Sequence, residues 1–230
     1  MTGSQLTPVE QAGKVFFYVQ HLLGIGHLAR ASRVSRALVD AGFEVTLVTG
    51  GAPVAGFPGA GIRHVQLPAV VASSSGFSAL ADLDGNPVDV AFEQARTTQL
   101  LGAFHAARPD VVIFEAFPFG RRQVRFELLP LIQAIEAAKP RPLLFSSIRD
   151  ILQENRKPGR DRETVELVRA HFDGVLVHGA PEFVPLDETF APTPEIADLV
   201  HYTGLVAPPE PDPADDRFDT VVSAGGGAVG

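Results

Sequence analysis

The composition of this 230-residue chain is that of a globular protein with a sizeable core, because 45% of its residues are hydrophobic and 20% are charged. Its formal net charge of −8 argues against general binding to nucleic-acid phosphates, and the absence of cysteine excludes disulfides and thiolate chemistry. No apolar window is long enough to cross a membrane, and residues 1–12 read as a flexible leader that lacks the features of a secretion signal.

The first predicted unit is a strand, a glycine loop and a helix. Residues 14–20 are almost continuously apolar, which is typical of a strand buried on both faces of a parallel sheet. Gly24 and Gly26 then allow a sharp turn and a close approach of a ligand to the backbone. Between His27 and Gly42 apolar residues recur every three or four positions, which predicts a helix whose opposite face carries arginines such as Arg30.

His27 lies where this glycine loop meets the helix. Free N–H groups and the positive end of the helix dipole favour an anion there and disfavour the imidazolium, so we expect a neutral His27 that can act as a base. The spacing equally allows a structural interpretation, in which the glycines only close the turn and His27 caps the helix. The loop also matches the dinucleotide pattern G-x-G-x-x-A, but residues 21–23 separate it from the strand and Thr49 stands where an acid is expected. We therefore predict no cofactor.

The rest of the chain alternates predicted strands and helices. Residues 67–84 show no sustained period and are predicted to be a long loop, while Asn86 is expected to cap the helix that Pro87 opens. Seven strands alternating with helices predict an α/β fold with a doubly wound, parallel, Rossmann-like sheet. The further strands are predicted at 43–49, 62–66, 111–114, 142–146, 174–177 and 201–204, and the further helices at 87–108, 128–138, 161–172 and 194–200.

Polar side chains follow three of these strands at their carboxyl ends. Glu115 and Arg121 follow the fourth strand, Arg149 and Asp150 the fifth, and His178 the sixth. The carboxyl ends of parallel strands meet at one edge of the sheet, so we expect these residues to share a ligand crevice with the glycine loop and with exposed phenylalanines after the fourth strand. Local ion pairing, and for His178 a simple hydrogen-bonded position in a loop, are the alternatives.

The carboxyl-terminal part of the sequence changes character. Residues 205–218 are rich in proline and acids and are predicted to form a stiff linker. Beyond it lie an apolar strand and a second glycine loop, formed by Gly225, Gly226 and Gly227, without the helix that should follow. We therefore expect residues 13–204 to form one Rossmann-like domain and residues 219–230 to be the start of a truncated second one.

Four segments together carry a family resemblance: VFFYVQHLLGIGHLARASRVSRAL, FEAFPFGRRQVRFEL, SSIRDIL and VVSAGGGAVG. They resemble a bacterial GT-B glycosyltransferase of the MurG-like branch (glycosyltransferase family 28), specifically its "predicted glycosyl transferase" group, and the resemblance covers the whole chain after the leader. It implies an acceptor-side domain in which His27 faces the interdomain cleft and takes a proton from the acceptor hydroxyl. It also implies that Gly225 to Gly227 approach the donor diphosphate through backbone N–H groups, without a metal ion.

The leading functional hypothesis is transfer of a hexosyl group from a nucleotide-diphospho sugar to a hydroxyl acceptor. In it His27 is the catalytic base, and the acceptor or cleft contacts are Gly24, Gly26, Glu115, Arg121, Arg149, Asp150 and His178. Because the donor domain would be truncated, we expect the chain alone to be inactive. The alternatives are a nucleotide-sugar hydrolase or 2-epimerase on the same scaffold, and a non-catalytic module that binds a sugar or nucleotide.

The expected location is cytoplasmic, and the expected partners are a nucleotide-diphospho sugar and a hydroxyl acceptor. A peripheral contact with the inner face of the membrane is a further hypothesis, since the apolar residues Leu22, Leu23, Ile25, Val70 and Val71 could dock on a bilayer surface. The alternative is that these residues are buried or are isolated apolar residues of the surface.

Overall fold

The computed structural model of the protein describes residues 12–22, 24–73, 76–153, 157–208, 210, 212–213, 217–220 and 222. Strands are β1 (Lys14–Val19), β2 (Glu44–Thr49), β3 (Arg63–Gln66), β4 (Val71–Ser73), β5 (Gly76–Ala81), β6 (Val111–Glu115), β7 (Leu143–Arg149), β8 (Gly174–His178) and β9 (Val200–Tyr202). Helices are α1 (Gly26–Asp40), α2 (Val90–Ala107), α3 (Arg125–Ala137) and α4 (Arg160–His171), and short 3₁₀ turns occupy Arg122–Val124, Leu186–Glu188 and Thr193–Leu199.

Seven of the strands form one parallel sheet in the order β3-β2-β1-β6-β7-β8-β9, which confirms the predicted doubly wound fold. Strand β1 is central, with β2 on one side and β6 on the other. The order of the strands therefore reverses between β1 and β6, and the loops that leave these two strands diverge at the carboxyl edge. Such a point is where open α/β sheets usually hold their ligands.

The two faces of β1 pack against different helices. Phe16 and Tyr18 belong to a core that includes buried residues of α2, α3 and α4, whereas Phe17 packs with buried residues of α1. Since both faces are covered, the strand is apolar at almost every position, as the sequence pattern predicted.

The segment predicted as a long loop contains a hairpin instead. Strands β4 and β5 pair antiparallel in a separate two-stranded sheet, with Val71 opposite Ala81 and Ala72 opposite Leu80. A strand of three residues is too short to show a period of two, so the sequence pattern could not identify it. Val70, which was considered for a membrane contact, is fully buried and unavailable for one.

Three predicted boundaries also change. Helix α2 begins at Val90, where Asp89 is the N-cap and accepts the N–H of Phe92 at 2.8 Å, so Asn86 does not cap this helix. Helix α3 begins at Arg125, before the predicted start, so Pro130 lies beyond its first turn. Strand β7 continues to Arg149 and so includes residues that were expected to follow it.

The terminal predictions concern residues that are mostly not described. Most of the leader and the glycines Gly225, Gly226 and Gly227 lie outside the described residues, so those interpretations stay predictions. Within the described ranges, no helix has both the length and the hydrophobicity that a membrane crossing requires.

Candidate functional site

The candidate site surrounds Glu115, the last residue of β6, at the carboxyl edge of the sheet. The side chain of Glu115 is 0% exposed. Helix α1 begins beside it and presents His27 and Arg30 on one face, because residues three apart are neighbours on a helix. Nδ1 of His27 lies 2.8 Å from Oε1 of Glu115, and the guanidinium of Arg30 contacts the same oxygen. We call Glu115, His27, Arg30, Ser147 and His178 the Glu115 cluster.

The carboxyl group of Glu115 is ionised despite its burial. Burial raises its pKa, but the hydrogen bond from His27, the charge of Arg30 and the hydroxyl of Ser147 together hold the pKa below its usual value. An ionised carboxylate can only accept hydrogen bonds, so Nδ1 of His27 carries the hydrogen and donates it. The lone pair of the ring is then on Nε2, the nitrogen that a general base would use.

The ring of His27 is neutral near neutral pH and partly exposed, so it can act as a base. Burial is the main cause that lowers its pKa, the charges of Arg121 and Arg30 lower it further, and Glu115 opposes them. The sequence predicted a neutral imidazole from the helix dipole, whereas the structure gives burial and neighbouring arginines as the causes. With 29% of its side chain exposed, the ring is accessible to a ligand.

Ser147 and His178 extend the cluster along the sheet edge. The hydroxyl of Ser147 donates to Oε2 of Glu115 at 2.6 Å and lies 2.9 Å from Nε2 of His178. Nδ1 of His178 lies 2.7 Å from the hydroxyl of Thr203, which follows β9. Burial, and secondarily the charge of Arg30, lowers the pKa of His178 to about 4, so this ring is neutral at neutral pH.

Two of the predicted arginines lie at the same edge. Arg121 has a left-handed backbone (φ 58°), is half-buried, and donates from Nε to the carbonyl of Gln20 at 2.6 Å. Burial is the main cause that lowers its pKa; the charge of Glu115 opposes this effect, and the charges of Arg30 and Arg149 add to it. Arg149 ends β7 and is exposed.

Asp150 and the glycine loop contribute differently from what was expected. The carboxylate of Asp150 accepts the N–H of Ile151, and its side chain packs so closely on Gly179 that a Cβ there would lie 2.5 Å away. Asp150 therefore has a structural contact at the end of β8. Gly24 is half-buried, and a Cβ at exposed Gly26 would meet no heavy atom within 4 Å, so packing leaves room for a ligand there.

The phenylalanines after β6 are core residues, which corrects the expectation that they line a crevice. Phe117 is 1% exposed and packs on Phe114, and Phe119 packs edge-on against Phe190 with 5.1 Å between ring centroids. The left-handed residue Ala116 turns the chain back directly after the strand, which is compatible with this inward packing.

Sequence reasoning missed two members of the site and the partner of a third. Arg30 was assigned to the outer face of α1, although its spacing of three residues from His27 was a usable signal. Ser147 was not singled out, although it directly follows the strand predicted at 142–146, and Thr203 was not considered. For Thr203 we find no signal in the sequence, because its contact with His178 depends on the pairing of β8 with β9.

A second buried polar cluster lies among the loops that follow β1 and β2. Arg96 forms a two-point ion pair with Glu127 at 2.6 and 2.8 Å, and the hydroxyl of Tyr18 donates to the same carboxylate. The guanidinium also donates to Oε1 of Gln20 at 3.0 Å and to the carbonyl of Gly50 at 3.0 Å. We call Arg96, Glu127, Tyr18 and Gln20 the Arg96 cluster; it ties the loops after β1 and β2 to α2 and α3.

Comparisons with known proteins identify the fold. No family model and no curated protein matches the sequence, whereas 50 solved chains match the structure. The glycotransferase of kitacinnamycin is 13% identical with a TM-score of 0.51, over 90% of this chain and 55% of its own. TcCGT1, solved in complex with UDP, is 13% identical with a TM-score of 0.50, over 88% of this chain and 53% of its own. MurG from Acinetobacter baumannii is 12% identical with a TM-score of 0.49, over 86% of this chain and 46% of its own.

The chain therefore spans about half the length of the solved structures that it matches. In the described ranges no group of three histidine, aspartate or glutamate residues is placed to hold a metal ion. At this level of identity the similarity shows the fold alone, and that fold is the Rossmann-like fold of one half of a GT-B glycosyltransferase.

Proposed function

We propose that this protein is the acceptor-side half of a GT-B glycosyltransferase that moves a sugar from a nucleotide-diphospho sugar to a hydroxyl acceptor. The observation that carries the proposal is the pair formed by His27 and Glu115. It combines a neutral imidazole that is 29% exposed with a buried carboxylate that is hydrogen-bonded to Nδ1 of the ring, which leaves the lone pair on Nε2. The complex of TcCGT1 with UDP supports a uridine nucleotide as the donor class.

The geometry suggests a general-base mechanism. Nε2 of His27 takes the proton of the acceptor hydroxyl while that oxygen bonds to the anomeric carbon of the donor sugar. The bond from this carbon to the diphosphate breaks, and the nucleoside diphosphate leaves with the electron pair. Glu115 stays ionised, holds the ring in the required tautomer and stabilises the imidazolium that forms.

The other edge residues act in binding in this proposal. Arg121 and Arg149 supply positive charge at the same edge of the sheet, and the open space at Gly26, in the same loop as Gly24, admits the acceptor. Because Arg30 pairs with Glu115, the carboxylate does not repel an anionic group in the cleft. The glycine loop formed by residues 225–227 would meet the donor diphosphate, as the resemblance to the MurG-like branch implies. The proposed location of the reaction is the cytoplasm, which is the expectation from the sequence alone.

The test uses a protein that carries this chain together with the proposed donor half, screened against nucleotide sugars and hydroxyl acceptors. Replacing His27→Ala should reduce the transfer rate by about 10²- to 10⁴-fold, which is the usual contribution of a general base. The matched control is His105→Ala, which alters an exposed histidine in the last turn of α2 and should leave the rate unchanged.

Two results would contradict the proposal. Transfer by the His27→Ala protein within a few-fold of the parent would remove His27 from the role of base. Free sugar or an isomerised nucleotide sugar formed without any acceptor would indicate a hydrolase or a 2-epimerase on this scaffold.

A further inference from the structure

We infer that Ser147, His178 and Thr203 form a directed hydrogen-bond relay that orients Glu115 and thereby fixes the hydrogen on Nδ1 of His27. The relay crosses the sheet edge from the residue after β9 to the start of α1. Its three members are positioning residues, since none of them needs to touch a substrate. The catalytic meaning of the relay rests on the proposed role of His27, whereas its geometry does not.

The direction of every hydrogen bond follows from Glu115. Because the carboxylate is ionised, it accepts from Ser147 at 2.6 Å, and this uses the only proton of the serine hydroxyl. The oxygen of Ser147 must then accept at its 2.9 Å contact with His178, so Nε2 of His178 carries a hydrogen. Since the ring is neutral, its Nδ1 is an acceptor, and the hydroxyl of Thr203 donates to it at 2.7 Å.

Strand pairing places Ser147 beside Glu115, and burial keeps water away from their hydrogen bond. Ser147 lies directly opposite Glu115 in the pairing of β6 with β7, and both side chains are fully buried. Water therefore does not compete for these hydrogen bonds, and a low local dielectric strengthens them. The same facts exclude Ser147 as a nucleophile, although a serine, a histidine and a glutamate meet here. Its hydroxyl is inaccessible, and it gives its proton to the carboxylate rather than to His178.

The relay requires opposite tautomers in two histidines. His27 must carry its hydrogen on Nδ1, and His178 must carry its hydrogen on Nε2. A histidine without such partners prefers the tautomer with the hydrogen on Nε2, so the tautomer of His27, with the hydrogen on Nδ1, is the distinctive one. Nitrogen-15 NMR distinguishes the two ring nitrogens directly, because a nitrogen with a hydrogen and a nitrogen with a lone pair resonate far apart.

The experiment is a histidine-labelled NMR titration of the 230-residue chain, which contains seven histidines, without any substrate. In the parent chain we expect the two tautomers given above. In Ser147→Ala, Glu115 loses a donor and its charge is concentrated near His27, so the pKa of His27 should rise by about 0.5. The groups whose charges act on His27 are Glu115, Arg30 and Arg121, and His21, after β1, is a further titratable neighbour; all four are retained.

The matched control is Ser146→Ala. Ser146 is also a fully buried serine of β7, but it donates to the carbonyl of Phe117 at 2.8 Å, so its loss should leave the titration of His27 unchanged. A protein that also carries the donor half should show a fall in kcat of about 10-fold for Ser147→Ala, with the acid limb of its pH profile shifted to higher pH. Ser147→Thr, which keeps the hydroxyl, should restore both.

If Ser147→Ala does not fold, Thr203→Val tests the other end of the relay from an exposed position, because it removes the donor to Nδ1 of His178. Ser147 still requires a hydrogen on Nε2 of His178, so we expect that tautomer to persist and the pKa of His178 to rise, whereas an unchanged pKa would contradict the relay. Hydrogen on Nδ1 of His178 in the parent chain would overturn the inference, and so would equal titrations of His27 in Ser147→Ala and Ser146→Ala. An inactive protein with the expected NMR behaviour would reject the proposed function but keep the relay.

Discussion

Two carboxylates of this protein, Glu115 and Glu127, have similar partners but different surroundings. Both are fully buried and both are paired with an arginine. The partners of Glu127 are fully buried as well, since Arg96 and Tyr18 are 0% exposed. The partners of Glu115 reach the surface, because Arg30 is 15% and His27 is 29% exposed.

The difference separates a structural ion pair from a pair that can serve chemistry. In the Arg96 cluster every polar group is satisfied by protein, and burial together with the charge of Glu127 raises the pKa of Tyr18 well above its usual value. Such a cluster has no proton to exchange near neutral pH. In the Glu115 cluster the carboxylate is equally enclosed, but its charge acts on a ring that a ligand can reach.

The largest expected effect is the removal of Arg96 from its cluster. Arg96→Met leaves Glu127 as a buried charge without its cation, which should cost about 3–5 kcal/mol of the free energy of unfolding. Arg30→Met is the matched variant and should cost only about 1–2 kcal/mol, because Glu115 keeps His27 and Ser147 as donors. Urea denaturation measures both, and equal costs would remove the distinction between the two clusters.

The next effect is a pH dependence of stability that belongs to His178. Its pKa is about 4 in the folded protein against 6.5 as the ordinary value, so the unfolded chain binds more protons between these values. The stability present above pH 6.5 should therefore fall as the pH is lowered, by about 2–3 kcal/mol between pH 7 and pH 4.5. His178→Asn should flatten this slope in urea denaturation, and His105→Asn should not. A slope unchanged in His178→Asn would contradict the buried, neutral ring.

A third change removes the charge of Glu115 without altering the shape of its side chain. Glu115→Gln removes the charge that raises the pKa of His27, so that pKa should fall, in the opposite direction to the effect of Ser147→Ala. Histidine NMR measures it in the chain alone. With the donor half present, transfer should slow by about 10²-fold or more, because the imidazolium loses its counter-charge. A His27 that titrates as before would show that Glu115 does not act on it.

The smallest expected effect on stability is the loss of an exposed ion pair. Arg162 is 64% exposed and pairs with Glu166 at 3.0 Å and with Glu195 at 2.9 Å. Exposed pairs are screened by water and salt, so Arg162→Ala should lower the free energy of unfolding by less than Arg30→Met does in the same denaturation measurement. A larger loss would mean that exposure does not separate weak pairs from strong ones here.

The sequence predicted the sheet and its ligand edge because those depend on local patterns. Continuous apolar runs identify buried parallel strands, and polar residues such as Glu115 and His178 stand out where the runs stop. The inward turn of Arg30 could not be predicted, since it depends on how α1 is rotated against β6. The ion pair between Arg96 and Glu127 was also missed, because each residue looks like an ordinary charged position on its own helix.

The reversal of strand order between β1 and β6 also affects how the protein folds. His27 and Arg30 belong to the side of the sheet that carries β2 and β3, whereas Glu115 belongs to the other side, and 88 residues separate it from His27. Neither side can assemble the pair alone, so the chain must first close a long loop against its own entropy. A shifted titration of His27 would therefore appear only in molecules whose two sides have joined, which makes this ring a natural reporter of complete folding.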